Sequence, residues 1–539
     1  MTKTPKVFVR EATGLVKDVS LLNVFAYNMN SQTVAVGVIQ FTLILAFTPG
    51  ADPNLSFLIA LIFGTFFVGL YALFTAAMPR SGGDYVFVSR SLTPLLGWVS
   101  SLVFWFSEAA FMGQSTGWIG SVYLSAPVAL MGQIWNSSSL ISLGAALASS
   151  YSTFGIGTIV LIGVGVTVIL GTRVHFRLQN LVFFIGLLGT VVIIGILLSS
   201  TSAQFFASFN RYAAPYSQVP DSYHYVIKSA TGMGFTTAPF SWYATLVGTT
   251  AAFASVAFAN FSTYCAGEMK QASRVSRQVV GMVGSMFLNA ILSLVVANLI
   301  VGIAGSQFVG AAYYLSTFSP QSWPFPVAPF LNLYVAMLTD NVVLNAIVAA
   351  AWMAWGIAIT MILFIFMTRV LFAWSFDRLI PKFFADVSDR FHTPVKGTIA
   401  VVIVGEAFLF IMAGLPPAFL GYLGYALAAS VLPTALLVSI SGVVFPYRAR
   451  ALYESSSISK HKIGPVPLIT VTGLVSTAFV LMLTYFYLTD SALGVNTPQV
   501  LAIIGAAIVI SVILYGVISR VRNREGLNLS LAFKEIPPE

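Results

Sequence analysis

Long apolar runs separated by short polar segments repeat along almost the whole chain. A helix needs about 20 apolar residues to cross about 30 Å of hydrocarbon. Applied to this sequence, that length predicts twelve spans, at residues 21–46, 55–78, 95–124, 154–172, 178–200, 244–267, 279–304, 342–373, 396–413, 417–444, 465–488 and 498–519. The runs are continuous rather than alternating, which excludes a transmembrane β-barrel. We therefore predict an all-α membrane protein with twelve transmembrane helices.

The composition agrees with a lipid environment. Hydrophobic residues make up 58% of the chain and charged residues only 8%, whereas a soluble surface is about 25–35% charged. The single cysteine, Cys265, leaves no partner for an intramolecular disulfide, and the four histidines lie far apart in loops. We therefore expect no metal site and no cofactor. The first 20 residues lack an early apolar core, so we expect no cleaved signal peptide.

The basic residues sort to one side of the predicted spans. If both termini lie on the same side, every Lys and Arg falls on that side except Arg211 and Lys228. Cytoplasmic segments carry such an excess, so we expect a multi-pass protein of the plasma membrane, in contact with lipid, with both termini cytoplasmic. The formal charge of +9 is spread over short segments. Because it forms no single basic patch, we expect no nucleic-acid partner.

Polar residues near the membrane midplane single out spans 1 and 6. Span 1 contains the run 27–33, Tyr-Asn-Met-Asn-Ser-Gln-Thr, in which Asn28 is about 13 Å deep at 1.5 Å per residue. Span 6 carries Asn260 at about 12 Å, counted from its other end. Corresponding broken helices in two inverted five-span halves are how secondary transporters build binding sites. The alternative is that these side chains only bond across packed helices.

We predict an interrupted helix in span 1. A break in span 6 has less support, because Ala257-Phe258-Ala259 contains no glycine to ease it.

Two acidic residues lie well inside spans. Glu108 in span 3 has Ser107 and Gln114 near it, and a carboxylate at that depth must be paired or must line water. It is a candidate proton carrier, with a structural hydrogen-bonding role as the alternative. Glu406 in span 9 has mostly apolar neighbours, which favours a structural or subunit-contact role. No P-loop and no catalytic triad or carboxylate pair occurs in the sequence, so we expect no enzyme activity.

Three loop motifs resemble those of the amino acid–polyamine–organocation (APC) permease superfamily. The stretch PRSGGDYVFVSR at 79–90 is similar to its loop 2–3 signature, and AGEMKQASRVSRQ at 266–278 is similar to its ending of helix 6. The stretch 369–397, with Asp-Arg-Leu-Ile-Pro followed by Thr-Pro-Val, is similar to its loop 8–9. The likeness covers about the first 450 residues. The two glycines at 82 and 83 permit a tight turn there.

The resemblance implies a five-plus-five inverted repeat of the leucine-transporter type, followed by two C-terminal helices. It implies a domain division into an N-terminal arm, a first repeat, an external loop, a second repeat, spans 11 and 12, and a tail, at residues 1–20, 21–200, 201–243, 244–445, 446–519 and 520–539.

The resemblance also implies a site in which backbone groups of spans 1 and 6 hold an amino acid. The matching positions are Tyr27, Asn28, Met29, Asn30, Ser31, Ala257, Phe258, Ala259 and Asn260. Span 8 would supply a hydroxyl group to a sodium site, at Thr360. The chain departs from the family where a Gly-rich break in span 1 is replaced by Asn-Met-Asn-Ser-Gln and where Phe258 stands in place of glycine. Span 5 also lacks the lysine of some proton-coupled relatives.

These features predict a secondary active transporter of amino acids or related amines that works by alternating access as a proton symporter, a sodium symporter or an exchanger. A membrane sensor that binds without transporting is the alternative. A membrane-embedded enzyme would need an acid or metal cluster that the sequence does not contain. The sequence leaves the oligomeric state and the role of the long external loops open.

Overall fold

A computed structural model describes residues 17–217, 219–414, 417–527, 529 and 533, without the side chains of 414–422, 424, 425, 427 and 428. Most of the predicted N-terminal arm and much of the predicted C-terminal tail therefore lie outside the described residues. The described part of the chain is mostly helical. The strands within it form a single hairpin of two-residue strands, β1 (Lys462–Ile463) and β2 (Val466–Pro467).

The helices of the first half follow the predicted spans closely. In chain order they are α1 (Leu21–Gln32), α2 (Val34–Phe47), α3 (Pro53–Ala77), α4 (Asp84–Ser91), α5 (Pro94–Trp118), α6 (Ser125–Ile134), α7 (Ser138–Leu147), α8 (Ser150–Ile169), α9 (Thr172–Leu198), α10 (Ser202–Ala213) and α11 (Ser222–Gly232). A π-helical turn joins α5 to α6, so span 3 continues ten residues past its predicted end. Short helices α10 and α11 occupy the predicted external loop.

The second half contains more irregular segments. Its helices are α12 (Trp242–Ala254), α13 (Val275–Val279), α14 (Ser285–Ala304), α15 (Ser306–Phe318), α16 (Leu331–Ala336), α17 (Val342–Phe376), α18 (Val395–Gly414), α19 (Pro417–Arg448), α20 (Arg450–Ser455), α21 (Leu468–Thr489) and α22 (Pro498–Arg524). Residues Phe261–Glu268 form a 3₁₀ helix after α12. A π-helical turn joins α13 to α14.

Three of the long helices begin at a proline that follows a capping residue. The pairs are Asp52-Pro53, Thr93-Pro94 and Thr497-Pro498. Proline suits the first helical position because its missing N–H has no helical acceptor there, and the side-chain oxygen before it accepts a later backbone N–H. These starts are therefore encoded locally in the sequence.

Within the described residues, eleven helical segments are long and apolar enough to cross a membrane. They correspond to every predicted span except span 6. The region of span 6 consists of α12, a stretch of turns at 255–260, and the 3₁₀ helix. The break in span 6, which had less support in the sequence than that in span 1, is therefore present, and it needs no glycine.

Span 1 is interrupted as predicted, and the interruption falls at Thr33. This residue has φ 50° and ψ 148°, which ends α1 and starts α2. A positive φ is uncommon for a β-branched residue, so tertiary contacts must hold it there. The Thr33 hydroxyl oxygen accepts the N–H of Val36 and caps α2.

The segments that carry basic residues meet at one end of the bundle, which we call the basic end. Their contacts join Val19 to Glu268, Arg80 to Asp377, Ser457 to Ala76, Arg173 to Asp18, and Arg522 to Arg378. At the opposite end, the N–H of Ser241 donates to the Gly50 carbonyl oxygen (2.8 Å). The region of span 6 thus touches both ends.

Candidate functional site

A cavity of about 220 Å³ lies beside the two helix breaks. It is bounded by α1, α2, α5, α12, the turns after α12, α19 and α21. Its walls are formed by Ser31, Val36, Ile39, Gln40, Ser107, Glu108, Phe111, Gln114, Trp118, Thr250, Phe253, Ala254, Ala257, Phe258, Val431, Leu432 and Tyr487. Most lining positions on the two broken spans belong to α2 and α12, the halves away from the basic end.

Ser31 and Phe258 bring the two breaks together at this cavity. The Ser31 hydroxyl donates to the Phe258 carbonyl oxygen (2.6 Å), with the Asn28 carbonyl oxygen at 2.7 Å as an alternative acceptor. The Phe258 carbonyl oxygen also accepts the N–H of Phe261 at 3.3 Å, so Ser31 adds a second, shorter bond from span 1. Ser31, Ala257 and Phe258 are the predicted binding residues that line the cavity.

Asn28 lies behind the cavity wall and bonds span 1 to span 6. Its amide donates to Ser262 Oγ (2.9 Å) and to the Gly281 carbonyl oxygen (3.0 Å). Its amide oxygen accepts the N–H of Ser262 (2.9 Å). For Asn28, the structure therefore has the cross-helix bonding that was the alternative interpretation.

Gln32 satisfies the backbone inside the break of span 6. With its amide oriented to suit both neighbours, the side chain donates to the Ser255 carbonyl oxygen (2.8 Å) and accepts the Ala259 N–H (2.7 Å). Within the turns the Ala259 N–H has a longer contact, 3.4 Å, to the Val256 carbonyl oxygen, so Gln32 adds a shorter bond from span 1. Gln32 was not among the predicted site residues, although its position in the polar run of span 1 was a usable signal.

The other predicted binding residues are buried outside the cavity lining. Tyr27 donates through its hydroxyl to the Ile362 carbonyl oxygen (2.9 Å), which ties α1 to α17. Met29 and Asn30 are fully buried, and Asn30 points its amide towards the Gln179 carbonyl oxygen. Asn260 is 6% exposed.

Glu108 projects from the middle of α5 into the cavity wall. Its side chain is buried, with 4% exposure. Among the described residues, no hydrogen-bond or ion-pair partner is found for its carboxyl group. A carboxyl group in this setting needs a proton, a cation or water.

Thr360 occupies a separate buried position. Its hydroxyl lies 3.0 Å from that of Thr116, which joins α17 to α5, and neither residue lines the cavity. The two candidate coupling residues, Glu108 and Thr360, thus lie in different environments.

Glu406 lies between α18 and α8. The Thr158 hydroxyl donates to one of its carboxylate oxygens (2.8 Å). This contact joins two scaffold helices away from the cavity, as a structural role for Glu406 predicts.

Several cavity residues were missed in the sequence because aromatic and amide side chains inside spans have no distinctive spacing. They include Gln40, Trp118, Thr250, Phe253 and Tyr487. Tyr487 comes from α21, far along the chain from α1 and α12, so its approach to the cavity is a purely tertiary feature.

Buried ion pairs close the basic end. Arg369 of α17 pairs with Glu268, and its Nη2 lies 2.9 Å from Oε2 of that carboxylate. Asp377 accepts from both Arg80 (3.1 Å) and Arg90 (2.7 Å). All five side chains are at most 1% exposed. The basic end is therefore closed by buried ion pairs.

Comparison with known proteins gives the family. The amino acid permease family model matches residues 19–513, which is most of the chain. No curated protein matches the sequence. The chain therefore belongs to the amino acid permease family of the APC superfamily, as the three loop motifs predicted, and it is a multi-pass membrane protein.

Proposed function

We propose that this permease is a secondary active transporter that carries amino acids or related amines across the plasma membrane by alternating access. The observation that carries the proposal is the meeting of two broken spans at one cavity whose basic end is closed by buried ion pairs. Ser31, Ala257 and Phe258 are at once break residues and cavity lining. Secondary transporters bind solutes at such discontinuous helices near the midplane.

The region of span 6 forms a twelfth crossing in this proposal. Contacts at both of its ends support it, since Ser241 bonds to Gly50 and Glu268 bonds to Val19 at the basic end. With twelve crossings, the termini lie on one side, and the excess of basic residues identifies that side as cytoplasmic. The structure then corresponds to a conformation closed towards the cytoplasm.

Alternating access requires the buried ion pairs to separate. Arg369 and Glu268 link the end of α17 to the region of span 6, and Arg80, Arg90 and Asp377 link loop 2–3 to loop 8–9. These residues contact each other rather than the cavity. Their role in the proposal is to gate the cytoplasmic side, while the cavity residues bind the solute.

The positions of Glu108 and Thr360 relative to the cavity suggest which ion each residue would bind. Glu108 carries the carboxyl group in the cavity wall, so a proton bound there would change the electrostatic interaction between the wall and a bound solute. Thr360 is hydrogen-bonded to Thr116 outside the lining. We therefore assign Glu108 to proton coupling and keep Thr360 as the candidate for sodium.

Uptake by the purified full chain in liposomes tests the proposal. A panel of labelled amino acids and amines is offered with and without imposed proton and sodium gradients, and protein-free liposomes are the control. Accumulation of at least one compound against its gradient is the expected result. Saturable binding without any flux would favour the sensor. Neither uptake nor binding across the whole panel would contradict the proposal.

A further inference from the structure

Among the described lining residues of the cavity, one side chain, Glu108, is a carboxylic acid and none is basic. Glu108 is buried in the wall without a described protein partner, whereas no Lys, Arg or His of the described chain lines the cavity. A buried carboxylate is stabilised by a nearby cation and opposes a second carboxylate. The electrostatics of the wall therefore favour a cationic solute.

Three donors near the breaks are already in use within the protein. The Ser262 N–H donates to Asn28, and the Ala259 N–H donates to Gln32. The Ser31 hydroxyl donates to a backbone carbonyl oxygen. Side chains of span 1 thus occupy two backbone N–H groups of the span 6 region.

The remaining wall suits an ammonium group on an apolar body. Aromatic rings line it at Phe111, Trp118, Phe253, Phe258 and Tyr487. Ring faces attract cations and also bury apolar surface. The amide groups of Gln40 and Gln114 add neutral acceptors. At about 220 Å³ the cavity admits a small amine.

We propose that the preferred solute is an organic amine without an α-carboxylate, and that its ammonium group pairs with Glu108 while its apolar part packs on the aromatic wall. The inference rests on the proposed transport function and narrows its substrate class. A proton and an ammonium group would use the same carboxylate oxygens, so Glu108 holds one of them at a time.

Matched pairs of compounds that differ only in the α-carboxylate test the inference. The pairs are leucine with isopentylamine, phenylalanine with 2-phenylethylamine, and lysine with cadaverine, each measured for binding and for uptake by the full chain. The amine of at least one pair should bind about tenfold or more tightly than its amino acid. Amino acids that bind as tightly as their amines in all three pairs would overturn the inference.

Variants of Glu108 and Glu406 test which carboxyl group pairs with the ammonium group of the solute. Glu108→Gln should weaken amine binding on the order of 30-fold or more, because a buried charge pair loses one partner. Glu108→Asp keeps the charge and should retain part of the affinity. Glu406→Gln makes the same change outside the cavity and should bind amines as the unaltered chain does. Equal affinities of Glu108→Gln and Glu406→Gln would refute the pairing.

Failure of this inference and failure of transport have different signatures. Uptake of amino acids without uptake of their amines leaves the transporter intact and removes the amine preference. Absence of uptake for every compound of both classes removes the transport function and this inference with it. If Glu108→Gln does not fold, the comparison of matched compounds on the unaltered chain still decides the substrate class.

Discussion

Asn28 and Ser262 bond reciprocally across the two broken spans. The Asn28 amide donates to Ser262 Oγ at 2.9 Å, and the Ser262 N–H donates to the Asn28 amide oxygen at 2.9 Å. The two residues are 234 positions apart in the chain. A polar residue of one broken span thus supports the break in the other span.

Replacement of Asn28 by leucine should destabilise the protein. The change keeps the side chain at a similar size but leaves the buried Ser262 N–H and the Gly281 carbonyl oxygen without this partner, at about 1–3 kcal/mol per unsatisfied group. Chemical unfolding of the purified protein in detergent measures the loss. Asn54→Leu is the control, since Asn54 bonds reciprocally with Asn298 at an exposed position. Comparable losses in both variants would contradict the prediction.

Breaking the ion pair at the basic end should cost far more than breaking an exposed one. Arg369→Met leaves the Glu268 carboxylate buried without its counter-ion, at about 3–5 kcal/mol. The double variant with Glu268→Gln should recover much of that loss. The control Arg211→Met breaks the ion pair between Arg211 and Asp340. Both of these side chains are more than half exposed, so the loss should be less than about 1 kcal/mol. Unfolding free energies decide whether this order holds.

A methyl group at Gly113 should force α5 away from α18. A Cβ atom there would lie 2.6 Å from the carbonyl carbon of Phe408 and 2.7 Å from the backbone nitrogen of Leu409. Since backbone yields little, Gly113→Ala should destabilise by about 1–3 kcal/mol. Gly155→Ala in α8 meets nothing within 4 Å and should be neutral or slightly stabilising. Thermal unfolding of the two variants in detergent compares them directly, and equal shifts would refute the packing argument.

Because of Asp84, which lies in α4 outside the long helices, the free energy of unfolding should fall as the pH rises from about 4 to 7. Burial raises the pKa of Asp84 from 3.8 to about 7, and the neighbouring Tyr264 hydroxyl lowers it in part. In that pH window the folded chain holds a proton that the unfolded chain has released, so rising pH favours unfolding by at most about 4 kcal/mol. Above pH 7 the effect is constant. The advantage of Asp84→Asn over the unaltered chain should therefore grow from pH 4 to 7 in unfolding measurements.

Asp340 provides a comparison of opposite sign for the same experiment. Its hydrogen bond from Arg211 holds the pKa of the Asp340 carboxyl group below the ordinary value. Its contribution to stability is present above that ordinary value and is lost as the pH falls through the lowered pKa. Asp340→Asn should thus differ from the unaltered chain mainly at neutral pH, and less in acid. An Asp84→Asn difference independent of pH would contradict the assignment to Asp84.

Removal of the Glu108 carboxyl group should abolish the pH dependence of transport. Any uptake that Glu108→Gln retains in liposomes should no longer respond to an imposed proton gradient, because the protonatable group of the cavity is gone. Thr360→Val is the companion variant, which removes a hydroxyl group but keeps the shape. A response to the proton gradient that persists in Glu108→Gln, with loss of sodium dependence in Thr360→Val, would move the coupling role to Thr360.

The sequence supported the interruption of span 1 more strongly than that of span 6. The run at 27–33, in which six of seven residues are polar, cannot stay in lipid as a plain helix without internal partners. In span 6, Ala257-Phe258-Ala259 gives no such sign. Its break is maintained by Gln32 and Ser31, which supply hydrogen bonds to backbone groups more than 220 positions away. Only assembled helices bring those donors and acceptors together.

The sequence by itself determined the membrane class, eleven long helices and the family, because apolar run length, capping residues and loop motifs are local properties of the chain. The tertiary structure decided which polar residues face the cavity. Glu108 and Ser31 line it, whereas the side chain of Asn28, also polar and predicted at a similar depth, is bonded to span 6. Depth follows from counting residues along one helix, but the direction in which a side chain points is set by the helices packed around it.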